Sequence, residues 1–151
     1  MGDDLAAANV NRAYSLSATS IAIFTFMLIF LYPRFVSGEV NAVLFQTTLL
    51  VMAVATFSFV FASFHYYGSS LAGRIDEAQR VAFARRADRF WLLGYSLLFL
   101  DPGLILFCVG LAVVGSAWLA LWLVHLFFVI RYFPRVLSPK APTPVGAPLR
   151  R

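Results

Sequence analysis

Four long apolar runs, separated by short polar breaks, constrain this chain more than any other feature. They cover about 14–32, 42–67, 90–114 and 117–133. A helix that crosses a hydrocarbon core ~30 Å thick needs about 20 mostly apolar residues. It must also satisfy its backbone N–H and C=O groups internally, because lipid offers no partners. All four runs meet or nearly meet that length. Aromatic residues mark their ends: Tyr14 and Tyr32 on the first, His65-Tyr66-Tyr67 closing the second, Phe90-Trp91 opening the third and Trp118 opening the fourth. Such rings favour the headgroup level. The expected fold class is all-α, a polytopic membrane protein with four transmembrane helices in a bundle. Composition agrees. The chain is 61% hydrophobic and 13% charged, against about 45–50% and about 25% in soluble domains. That balance excludes an ordinary soluble enzyme, a disordered tail and a nucleic-acid-binding domain, despite a net charge of +5.

The basic residues set the orientation. With four spans, the N-terminus, the second connection and the C-terminus share one side. That side carries Arg12, Arg74, Arg80, Arg85, Arg86, Arg89, Arg131, Arg135, Lys140, Arg150 and Arg151, and Arg34 alone lies opposite. Cytoplasmic flanks carry the excess of Lys and Arg, so both termini are expected in the cytoplasm, with the protein in a plasma or inner membrane. The start, Met1-Gly2-Asp3-Asp4, is acidic, unlike the basic start of a secretory leader.

Asp101-Pro102-Gly103 resembles a turn inside the third run. A break there would leave Leu104–Phe133 as one helix of about 45 Å, requiring a tilt beyond the usual ~40°. We therefore expect the turn at Gly115-Ser116 and a kink at Pro102 within the third span. The second connection, about 68–89, spaces Leu71, Ile75, Ala78 and Ala82 at helical intervals among arginines. That pattern predicts a short amphipathic cytoplasmic helix, capped by Ser69 or Ser70, with an Asp76–Arg80 pair. Arg80, Arg85, Arg86 and Arg89 on it are candidates for contact with anionic lipid headgroups. The tail, 138–151, is rich in Pro and lacks an apolar period, so it is expected to be disordered and cytoplasmic.

Asp101 stands out chemically, since a carboxylate in a span is costly and marks a functional candidate by default. Counting down both helices from a Gly115-Ser116 turn puts Asp101 and Arg131 level, about 22–23 Å away at 1.5 Å per residue. His125 is a poorer match, about 7 Å off level. Asp101 and Arg131 are thus candidates for a buried pair, and Asp101, Arg131 and His125 for an ion or proton path. Gly94, Asp101, Cys108 and Gly115 form one small-residue stripe at heptad spacing, and Ser96, Gly103, Gly110 and Ala117 another. Small residues let helices approach closely in lipid, so the third span is expected to have two packing faces.

Cys108 is the single cysteine, so no internal disulfide is available and no ligand spacing points to a metal. No phosphate loop, nucleophile elbow or zinc-protease motif is present, and no catalytic residue or cofactor is expected. The reading that follows is a small membrane protein acting by helix–helix association, as a homo-oligomer or an accessory subunit. An oligomeric ion or proton channel or transporter subunit using Asp101 is the alternative. A membrane enzyme acting on lipid or quinone comes third. Expected partners are the bilayer, with anionic lipid at the cytoplasmic face, and another membrane protein or a second copy, but no nucleic acid.

Overall fold

The computed structural model describes residues 2–71 and 73–136. Four α-helices account for nearly all of them: α1 (Gly2–Val36), α2 (Ala42–Ser69), α3 (Glu77–Cys108) and α4 (Ala112–Val136). Each contains a stretch long and apolar enough to cross a membrane. The chain therefore has the build of a multi-pass integral membrane protein. The Pro-rich tail, 138–151, lies outside the described residues.

Short connections force the helices to run up and down. Pro33 sits inside the last turn of α1. It removes one i→i−4 bond there, to the carbonyl of Ile29. Closure falls to Gly38, whose φ of 77° is the left-handed conformation glycine adopts without strain. Asn41 then caps α2, its side chain accepting from the Leu44 N–H at 3.0 Å.

The connection between α2 and α3 differs from expectation. No separate amphipathic helix starts at Ser69 or Ser70. Ser69 ends α2 and Ser70 caps its C-terminus. The left-handed Gly73 breaks the helical path, and Asp76 starts α3 by accepting from the Gln79 N–H at 2.7 Å. Asp76 is thus a cap and not the partner of Arg80, which pairs with Glu77 at 3.2 Å. The arginine-bearing residues 80–89 are the opening turns of α3 itself.

The turn between α3 and α4 also lies earlier than Gly115-Ser116. α3 runs unbroken through Pro102 and ends at Cys108. Gly110 makes the turn, with φ 82°, and the Leu111 N–H bonds back to the Leu106 carbonyl at 2.9 Å. A φ near 80° favours glycine, whereas Gly115 takes an ordinary helical place in α4.

Substantial packing runs α1–α2, α2–α3 and α3–α4. α2 and α3 are thus the inner pair, and α4 lies against α3 on the outside. The contacts among α1, α2 and α3 are made largely by small and hydroxylated residues. Ser17, Ser20, Thr48, Ser58 and Ser63 are all buried. The hydroxyls of Ser20, Thr48 and Ser58 donate to carbonyls one turn back in their own helices, at 2.7–2.8 Å. That satisfies each donor without a cross-helix partner and keeps the helices close. Apolar clusters close the two ends: Met27, Leu31, Phe45 and Cys108 at one, and Ala13, Ala62, Tyr66 and Ala87 at the other.

Candidate functional site

Asp101 is 1% exposed. Its surroundings follow from its helical stripe, because a heptad step departs from whole turns by only ~20°. One heptad before it, Gly94 faces α2, where an added Cβ would stand 3.0 Å from Phe59 and 3.1 Å from the Ala55 carbonyl. One heptad after it, the Cys108 sulfur lies 3.5 Å from the Thr48 hydroxyl. Asp101 therefore lies on the α2-facing side of α3, between these contacts. Neither of its carboxylate oxygens has a hydrogen-bond partner among the described residues. Its depth is central, about 15 Å from Trp91 along α3, or half the hydrocarbon thickness.

The pairing expected with Arg131 is not formed. With the turn at Gly110, the antiparallel register is fixed by side-chain contacts. Gly103 lies against Trp118 and Leu119, and Gly115 against Phe107. Asp101 is then level with the neighbourhood of Leu119, and Arg131 lies about 18 Å further along α4. Arg131 is exposed. The error came from placing the turn five residues too late, which slides the two helices past each other.

His125 belongs to a different face. Its ring stacks on Phe99 at 5.4 Å and tilts against Tyr95 at 5.9 Å. Its Nε2 is buried with no partner among the described residues. Phe99, Trp118, Leu121, Trp122 and His125 line an apolar recess of about 170 Å³ at the α3–α4 boundary. Asp101 and His125 thus lie on separate sides of α3.

The stripe residues divide by neighbour. Gly94 and Cys108 face α2, and Gly103 faces α4. Gly110, expected to pack, instead makes the turn, with nothing within 4 Å of an added Cβ. Arg85, Arg86 and Arg89 are exposed near the start of α3. Arg80 is not available in the same way, because its Nε donates to the Ser69 carbonyl at 2.9 Å and its guanidinium pairs with Glu77.

Four contacts escaped the sequence reading. The Trp118 and Trp122 indoles donate to the Phe99 and Ser96 carbonyls of α3, at 2.7 and 2.8 Å. An indole N–H in apolar surroundings seeks such an acceptor, but which carbonyl it meets depends on the register of α4 against α3. The Tyr66 hydroxyl donates to Asp88 at 2.7 Å, tying α2 to α3. The Arg12 guanidinium lies 5.5 Å over the Trp91 ring, joining α1 to α3. Nothing in local spacing announces those two, since their partners are distant in the chain.

Comparison of the chain with protein-family models, with curated proteins and with solved structures finds no match.

Proposed function

We propose that this chain is a small integral membrane protein that works by helix–helix association, as a homo-oligomer or as an accessory subunit of a membrane complex. The observation that carries this reading is the position of α4. Among the described residues it packs substantially against α3 only, and it buries the smallest share of its span. Exposed apolar side chains mean little in lipid, which solvates them. Small residues are more informative, because they admit a neighbouring backbone. Ala112, Ser116 and Ala120, one turn apart, are all exposed on α4. In this reading α3 bends at Pro102, and both termini face the cytoplasm of a plasma or inner membrane. Arg85, Arg86 and Arg89 meet anionic lipid there, each basic residue contributing about 1 kcal/mol near the surface. The test is native mass measurement after gentle extraction. More than one chain, or a co-purified membrane protein, is expected, and Ala120→Leu should shift the population to single chains. A lone chain from native membranes would overturn the reading.

A second reading is favoured by the two unpartnered oxygens of Asp101. An ion or proton path through the oligomer would use them. Flux in proteoliposomes should then be lost in Asp101→Asn, and flux indifferent to that change removes the reading. The membrane-enzyme alternative has less support, because Asp101 and His125 lie on separate sides of α3.

A further inference from the structure

A row of rings, each only partly covered, runs along α3 where it borders α4 on one side and α1 on the other. Trp91 stacks on Tyr95 at 4.9 Å, and Tyr95 leans on Phe99 at 4.7 Å. These residues are one turn apart, so the row follows the helix axis for about 12 Å. α4 forms one wall through His125, and the recess beside Phe99 continues the row inward. α1 forms the other wall at the foot, where Arg12 lies over Trp91. α1 and α4 do not pack substantially on each other, so a groove floored by α3 remains between them.

The groove carries arginine at one end only. Arg12 is exposed and has no acidic partner among the described residues. Asp88, the acidic residue at that level of α3, accepts the Tyr66 hydroxyl. Arg85 and Arg89 stand exposed at the same end. From there inward the floor is aromatic. The Trp118 and Trp122 N–H groups already bond to α3 carbonyls, so past its mouth the groove presents mainly ring faces, with the unpartnered His125 Nε2 as a polar atom of its wall. Its length, about 12 Å of rings plus the recess, matches one leaflet of ~15 Å. A basic mouth at the interface above an apolar trough of leaflet length complements a molecule with one anionic head and a hydrocarbon chain.

We propose that this groove binds an anionic phospholipid, its phosphate on Arg12 and one acyl chain along Trp91, Tyr95 and Phe99 into the recess. The inference does not depend on self-association, since the groove belongs to one chain.

The chain has three tryptophans, Trp91, Trp118 and Trp122, and each lies along the groove or its recess. Intrinsic fluorescence therefore reports occupancy. The whole protein is reconstituted into phosphatidylcholine vesicles containing either brominated phosphatidylglycerol or brominated phosphatidylcholine as quencher. Half-maximal quenching should need about five-fold less of the anionic lipid, the enrichment one arginine near an anionic head provides. Arg12→Gln should abolish that preference, and Arg12→Lys, which keeps the charge, should retain it. Arg85→Gln with Arg89→Gln should retain most of it. Equal quenching by both lipids in the unmodified protein overturns the proposal. So does a preference that survives Arg12→Gln but vanishes in the Arg85/Arg89 variant, since the head would then sit elsewhere. Should Arg12→Gln fail to fold, the Arg85→Gln/Arg89→Gln variant still decides, because a preference lost there would place the head away from Arg12 and overturn the proposal, while one retained there supports it.

Discussion

Asp101 is a carboxyl at mid-depth with no partner among the described residues, bounded by Gly94, Cys108 and the α2 contacts of both. A charged group at that depth is disfavoured by about 2.5–3.5 kcal/mol on insertion scales. Its retention is therefore not a gift to stability. Asp101→Asn keeps the volume and removes the charge, so the unfolding midpoint in detergent should stay level or rise. If instead the variant loses more than about 1 kcal/mol, the carboxylate makes a stabilising bond absent from this arrangement. The sequence displayed this residue plainly, as an acid inside an apolar run. Its pairing was not legible, because that depended on register, and register depended on which glycine made the turn.

At the scale of the helix, α3 holds the molecule together through two differently built faces. Toward α2 it presents Gly94, where an added Cβ would meet both the Phe59 ring and the Ala55 carbonyl near 3 Å. Toward α4 it presents Gly103, where an added Cβ would meet the Trp118 side chain at 3.0 Å. A backbone carbonyl cannot step aside as a side chain can. Gly94→Ala should therefore destabilise by about 1–3 kcal/mol, the usual range for overpacking, and Gly103→Ala by less. Unfolding midpoints of the two variants, measured side by side, check the order. Equal losses would mean that α2 and α3 separate as readily as the Trp118 ring turns. The heptad spacing of small residues announced two faces, but not that one glycine of each stripe would fall outside α3. Gly110 became the turn and Gly115 passed to α4.

For the whole molecule, the up-and-down order of four helices brings the start of α1 and the end of α4 to one end of the bundle. The lone cysteine, Cys108, is buried, and Cys108→Ser supplies a background without native thiols. In it, Ala8→Cys and Arg131→Cys should react with an impermeant thiol reagent from the same compartment, and Ser37→Cys from the opposite one. Reaction of Ala8→Cys and Arg131→Cys from opposite compartments would mean an odd number of crossings and would undo every register argument above.

The apolar runs alone announced four helices long and apolar enough to cross a membrane, because hydrocarbon admits no unpaired backbone and a helix satisfies its own. The arginine distribution alone supplied an orientation to test. Only the tertiary structure decided which groups meet. Contacts between helices depend on where each turn falls, and a shift of five residues moves a side chain by about 7.5 Å along the axis and by well over a turn around it. Applied to both antiparallel helices, that is enough to part Asp101 from Arg131 and to set His125 beside Phe99.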